Sequence, residues 1–253
     1  MTTRDSVNRF SKVFDKWRHK YDPYSLFERF MEWVIAGFDQ TGAKIKRPFD
    51  KEESTACMEV FSEWIMIMND ELKNREWFDL LGETYMIYMS GQMKKHWTGQ
   101  YFTPMHITDF MAKIVDAGEK SGETVLDNAC GSGRMLLAAH ANHPTNYCCA
   151  QDLDRICCLM TVCNFIVHGV NGEVVWGDGL DPTDYREGWR VNELLGVIGV
   201  PCVRAMEKIE SMTFRNGLTI LERQKKPESS PVSSKQKDTA PKFTQLSLFD
   251  DMF

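Results

Sequence analysis

Three aspartates in this chain stand where an apolar run stops: Asp127 after Val125 and Leu126, Asp152 after Tyr147 to Gln151, and Asp178 just past Glu173 to Trp176. The first opens Asp127-Asn128-Ala129-Cys130-Gly131-Ser132-Gly133, a glycine-rich turn leading into a helical pattern from Ser132 to about His140. Glycine has no Cβ, so a ligand can approach the main chain, and the bare N–H groups of a helix start face it. An acidic side chain at the end of the second strand can accept hydrogen bonds from ribose hydroxyls, and the third can meet an adenine amino group. A single aspartate of this kind is ordinarily a cap or turn residue. Three in register beside a glycine turn point to a nucleoside cofactor.

The elements that must hold these residues alternate. Residues 125–127, 147–151 and 173–176 read as strands, separated by the helix at the glycine turn and by a second over 154–168. In that second helix Leu159, Val162, Cys163, Ile166 and Val167 form the buried face, and Gly169 lies just past its end. Lengths and order predict right-handed βαβ units and a parallel sheet. Residues 194–200 read as a fourth strand and 203–212 as the helix after it. Ahead of the sheet, residues 1–98 are helical in pattern. Phe27, Phe30, Met31, Val34 and Phe38 recur at helical spacing, as do Val60, Trp64, Ile67 and Met68, and a third helix is expected over 77–93. Pro104 pushes Thr103 extended, and His106 or Thr108 then opens a helix carrying Met111, Ile114 and Val115 toward the sheet.

Composition narrows the function. The 253 residues have room for one α/β domain and a smaller element. A net charge of −6 argues against a strong grip on DNA by this chain alone. Lys16, Arg18, His19 and Lys20 around Trp17 read as a solvated helix face. No apolar run is long enough to cross a bilayer and no leader opens the chain, so a cytoplasmic protein with no membrane partner is expected. The eight cysteines include no C-x-x-C and fall in apolar stretches, which predicts buried reduced thiols and no metal site. Four units follow: a helical region 1–98, an α/β domain 99–212, a linker 213–244, and a terminal peptide 245–253. The linker's centre, from about Arg223 to Lys242, is too polar to offset the entropy of ordering and is expected to be disordered.

At this point the sequence resembles the adenine-N6 DNA methyltransferases, in particular the modification subunits of type I restriction systems and their phage or mobile-element relatives. Gly99-Gln100-Tyr101-Phe102-Thr103-Pro104 looks like their first cofactor motif, and the 127–133 loop is similar to their D-P-A-C-G-S-G. Gln151-Asp152-Leu153-Asp154 with Asn164 downstream, and Gly177-Asp178-Gly179-Leu180, match the next two motifs. The resemblance covers about residues 77 to 180. It implies a Rossmann-like fold that binds S-adenosyl-L-methionine (SAM), with Tyr101, Phe102, Thr103 and Pro104 beside the methionine part. Ala129, Gly131 and Gly133 give the close backbone approach, Asp152 the ribose contact and Asp178 the adenine contact, while Asp127 orders the loop or meets the amino-acid end. It further implies methyl transfer to the exocyclic amine of a flipped adenine in DNA, with a specificity subunit as partner. Two departures lie in the loop, Asn128 for the family's Pro and Arg134 for its usual Gly. The family's Asn/Asp-Pro-Pro-Tyr/Phe motif is not found: Asp181-Pro182-Thr183-Asp184-Tyr185 follows the third strand directly, and Gly199-Val200-Pro201-Cys202 lacks the acceptor and the aromatic. No catalytic residue is therefore assigned, no target-recognition domain is expected, and an inactive SAM-binding adaptor or decoy is the other reading.

Gln245-Leu246-Ser247-Leu248-Phe249 ends the polar linker. It resembles the short peptide with which bacterial replication and repair proteins dock on the sliding clamp. Gln245 would hydrogen-bond at a pocket rim, with Leu246, Leu248 and Phe249 as the apolar part; the other reading is that the segment folds back onto an apolar patch of its own domain.

Overall fold

The computed structural model describes residues 2–42, 47–89, 101–115, 121–181 and 183–215. Three helices open the chain: α1 (Thr3–Trp17), α2 (Pro23–Phe38) and α3 (Lys51–Glu71). Each has a side-chain cap where an acidic or hydroxyl residue precedes the apolar pattern. Thr2 and Asp5 form a capping box, Asp22 caps ahead of Pro23, and Asp50 accepts from the N–H groups of Glu52 and Glu53. The apolar stripes meet as the spacing predicts: Phe10 and Phe14 of α1, Phe27 and Phe30 of α2, and Trp64 of α3 are all fully buried. Phe30 and Trp64 pack edge to face at 5.8 Å.

The expected helix over 77–93 is shorter. The α-helix α4 (Leu80–Thr84) passes into one π-helical turn, Tyr85–Met89, and residues 90–100 lie outside the described residues. Helix α5 (Met105–Val115) follows, beginning before either expected cap. Thr108 is buried, and its hydroxyl donates back to the carbonyls of Thr103 and Pro104.

Among the described residues five strands form one sheet in the order β1 (Thr124–Asp127), β2 (Tyr147–Asp152), β3 (Gly172–Trp176), β4 (Glu187–Val191), β5 (Val203–Ala205). The first three are parallel, joined by α6 (Arg134–Asn142) and α7 (Arg155–His168). Beyond β3 the expectation fails. β4 and β5 are antiparallel additions, and the apolar run 194–200 is a loop carrying the single turn α8 (Leu195–Ile198) with Val197 83% exposed. Residues 203–205 are strand, and Lys208–Glu210 is a 3-10 turn, in place of a helix over 203–212. The polar end of the sheet is tied down by Glu173, fully buried in β3, whose carboxylate accepts from Ser211 Oγ, Met212 N, and both N and Oγ1 of Thr213.

One apolar core joins the helical region to the sheet, since α2 packs on α7 and α4 packs between α1 and α7. All eight cysteines are buried and none is in a disulfide. Among the described residues no helix is long and apolar enough to cross a membrane.

Candidate cofactor cradle at the strand ends

Parallel pairing brings the three aspartates to one end of the sheet. Asp127 lies opposite Ala150, and Asp152 opposite Trp176, so each closes its strand at the carboxyl edge, with Asp178 two residues past β3. All three are half-buried. Their carboxylates tie the turns together. Asp127 accepts from Ala129 N at 3.1 Å, Asp152 from Gly131 N at 2.8 Å and Asp154 N at 2.9 Å, and Asp178 from Leu180 N at 2.9 Å. The glycine turn is thus shaped by the second strand's aspartate as well as its own.

Gly131 and Gly133 need their glycine. Their φ angles are +55° and +82°, in the left-handed region. A Cβ on Gly131 would come within 2.9 Å of the Phe102 ring, and one on Gly133 within 2.8 Å of Thr161 on α7. Phe102 lies over the turn, stacked at 5.6 Å on Tyr85. Burial, the largest influence on both, pushes the carboxyls of Asp127 and Asp152 above the ordinary range, although backbone N–H donors pull the other way. A partner offering hydroxyl groups would suit such carboxylates.

Beneath the turn sits a network in which Asp79 was not anticipated. Asp79, fully buried just before α4, accepts from Arg134 Nε and Nη2 at 2.9 and 2.6 Å, Ser132 Oγ at 2.5 Å, Asn164 Nδ2 at 2.8 Å and Gly82 N at 2.8 Å. Arg134 Nη1 donates onward to the Thr103 carbonyl at 2.7 Å. One carboxylate therefore fastens the helical region, the glycine turn and the 102–104 segment to each other. A lone Asp inside Trp77-Phe78-Asp79-Leu80-Leu81 was the sequence signal, since a charge amid apolar residues needs a buried partner.

Of the anticipated contact residues, the fold gathers Phe102, Thr103, Pro104, Asp127, Ala129, Gly131, Gly133, Asp152 and Asp178 around this end. Tyr101 is 77% exposed. Gly99 and Gln100 of the first motif lie outside the described residues. Gly199-Val200-Pro201-Cys202 does not join them. Because β4 runs back along β3, pairing Gly172 with Val191, the loop it enters lies at the opposite end of the sheet. Tyr185 is near the correct end, but its hydroxyl donates to the Met206 carbonyl and its ring packs edge-on against Phe214. A separate cavity of about 220 Å³, lined by Arg75, Trp77, Asp109, Lys113 and Asn142, lies between α5 and the carboxyl end of α6, away from the aspartates.

This chain's cradle segment has relatives. Residues 76–192 match the family model described as N-6 DNA Methylase. The match covers under half of this chain, which over that segment is similar to the family. Two Methanocaldococcus jannaschii proteins are similar to it: the type I restriction enzyme MjaVIII methylase subunit, 30% identical over 41% of this chain and 19% of its own length, and the MjaVII methylase subunit, 29% identical over 49% and 22%. The chain therefore spans about a fifth of the length of these curated relatives. A solved methyltransferase subunit of a type I restriction-modification system from Streptococcus thermophilus aligns at TM-score 0.41 and 18% identity, over 72% of this chain and 60% of that one.

Proposed function

We propose that this chain binds SAM in the cradle and serves adenine-N6 methylation of DNA. The observation that carries this reading is the set of three half-buried carboxylates at parallel strand ends around a left-handed glycine turn. The residues fit the cofactor. The two glycines let the Phe102 ring and Thr161 close on the turn's main chain, and carboxylates flank it with acceptor capacity left over. Asp152 would hold the ribose hydroxyls, Asp178 the adenine amine, and Phe102 to Pro104 with the 131–133 turn the methionine part. SAM supplies an electrophilic methyl group on sulfonium. The chain's own residues bind and orient it, and Asp79 with Arg134 keeps the two loops at fixed separation. Positioning of this kind is the usual protein share of such a transfer.

Recognition of the target adenine needs an acceptor side chain and an aromatic to hold the flipped base. Because the 199–202 loop is at the far end of the sheet, it is not the source of those groups. That observation favours a second reading, a SAM-binding adaptor or decoy without transfer activity of its own. DNA binding by this chain alone is expected to be weak, with a specificity subunit as partner. The peptide Gln245 to Phe249 lies outside the described residues, and its docking on a sliding clamp is part of the proposal. Calorimetry with SAM tests the cradle, and tritiated-methyl transfer to unmethylated DNA separates the two readings. A folded protein that takes up neither SAM nor S-adenosylhomocysteine would remove both.

A further inference from the structure

Arg134 stands where its own helix argues against it. It is the first residue of α6, whose N-cap, Gly133, makes no side-chain cap bond. A cation there opposes the helix dipole, which favours negative charge in the first turn. Such a conflict between local preference and fold is expected at functional positions. The side chain is 4% exposed. Its Nε and Nη2 donate to Asp79, and its Nη1 donates to the Thr103 carbonyl at 2.7 Å and lies 3.2 Å from Glu83. With these acceptors engaged and so little exposure, the guanidinium does not meet a ligand itself. It acts through the residues it holds.

Those residues belong to the segment 102–104. The Phe102 ring stacks on Tyr85 at 5.6 Å, and the Arg134 guanidinium carbon lies 5.4 Å from its centroid. The Gly131 main chain passes so near that a Cβ there would come within 2.9 Å of the same ring. The Phe102 N–H donates to Met86 Sδ at 3.4 Å. Tyr85 and Met86 open the π-helical turn, an uncommon geometry that is frequent at functional sites. The segment is thus pinned to the helical region by Tyr85, by Met86 and, through Arg134, by Asp79. The other side of the cradle is built without the guanidinium. Asp152 accepts from Gly131 N and Asp154 N, Asp178 accepts from Leu180 N, and among the described residues Arg134 bonds neither carboxylate.

We propose that Arg134 is a positioning residue that makes the cradle select nucleosides carrying an amino-acid chain on the 5′ sulfur over those without one. The inference rests on the SAM-binding reading above. Held by Asp79, the guanidinium fixes the Thr103 carbonyl and the Phe102 ring before a ligand arrives. The methionine part then meets a preformed wall, and little ordering entropy is lost on binding. The adenosine part, on Asp152 and Asp178, gains nothing from this. Lysine does not replace the arginine: an ammonium keeps the charge beside Asp79 but has no planar fork to reach the Thr103 carbonyl as well. Glycine, usual at this position in the family that the loop resembles, supplies neither bond.

The test compares the full chain with Arg134→Lys, which leaves a cation beside the buried Asp79, and with Asp79→Asn/Arg134→Gln, which strands no charge. Calorimetry follows SAM, S-adenosylhomocysteine and 5′-methylthioadenosine, the last keeping adenosine and sulfur without the amino-acid chain. Both variants should bind the first two about fivefold to tenfold more weakly, the scale of one lost hydrogen bond, and the third within about twofold of the unsubstituted chain. Without ligand, amide hydrogen exchange over 102–108 should quicken by about tenfold while that over 147–152 keeps its rate. Equal losses for all three ligands would show a merely structural residue and overturn the proposal. Unchanged SAM affinity, unchanged exchange over 102–108, or failure of 5′-methylthioadenosine to bind the unsubstituted chain would overturn it as well. If the unsubstituted chain takes up neither SAM nor S-adenosylhomocysteine, the functional reading beneath falls instead, and the exchange rates still decide whether Arg134 holds the segment.

Discussion

Replacing Asp79 by alanine should be among the most damaging single changes in the molecule. The carboxylate is fully buried and Arg134 is 4% exposed on its side chain, so the substitution strands a guanidinium out of reach of bulk water. Removing one member of a buried ion pair costs about 3–5 kcal/mol. Ser132 Oγ, Asn164 Nδ2 and Gly82 N–H lose their acceptor too, at roughly 1–3 kcal/mol for each group left unsatisfied. These losses overlap, and Arg134 keeps Glu83 at 3.2 Å and the Thr103 carbonyl. A net loss of about 4 kcal/mol is therefore expected, a large part of a typical total of about 5–15 kcal/mol. The measurement is urea unfolding followed by far-UV circular dichroism, where the midpoint should fall with little change in slope. Asp79→Ala/Arg134→Met should recover part of the loss, because the second change removes the orphaned charge. A single-variant cost under about 1 kcal/mol, or a double variant no better than the sum of its parts, would refute the view of this pair as the fastening between helices and turn.

Four further outcomes are expected. Asp152→Ala should weaken SAM binding by roughly 1–3 kcal/mol in calorimetry, and unchanged affinity would remove it from the cradle. Gly131→Ala combines a positive φ with a 2.9 Å approach to Phe102, so it should cost about 1–2 kcal/mol of stability by urea unfolding and reduce SAM affinity as well. His168 is pushed down to about 4 from its ordinary 6.5, by burial first and the neighbouring His140 last, against the Asn164 backbone contact and the Asp79 charge; in its neutral form Nε2 accepts from Phe78 N. Its folded value is the lower one, so the stability it contributes is complete above about pH 6.5 and falls as pH drops toward 4; unfolding at pH 5 against pH 7.5 should show about 2 kcal/mol of loss that His168→Gln lacks. Finally, Leu248→Ala/Phe249→Ala should abolish binding to a purified bacterial sliding clamp, and equal binding by both proteins, or by neither, would end the docking idea.

What could be read in the sequence was what the chain satisfies within itself. Strands β1 to β3 were legible because each runs into an aspartate at the same edge, and α7 because Asp154 and Gly169 mark both its ends. β4 was not legible. Glu187-Gly188-Trp189-Arg190-Val191 carries charges and a glycine, and its strand character comes from pairing between β3 and β5. Residues 194–200 misled in the opposite direction. Their apolar run suggested a buried strand, yet Val197, Ile198 and Val200 are 83, 42 and 54% exposed. The departure noted at Arg134 was legible as a residue type, but its meaning depended on Asp79, which lies 55 positions earlier and meets it only in the fold.

The same distinction explains α5. Periodicity at 107, 110, 111, 114 and 115 states that a helix face is made for burial, and nothing local states what buries it. The expectation was that Met111, Ile114 and Val115 face the sheet, yet they are 43, 58 and 60% exposed. The course of β4 along β3 depends on the loop after Asp178, where Asp184 accepts from the Asp178 N–H at 2.9 Å and Arg186 N donates to the Trp176 carbonyl at 2.9 Å. Those two bonds turn the chain back along β3 within ten residues, too short a connection for a helical crossover to β1. The tight return that extends the sheet past β3 is therefore also why β1, among the described residues, pairs with β2 alone.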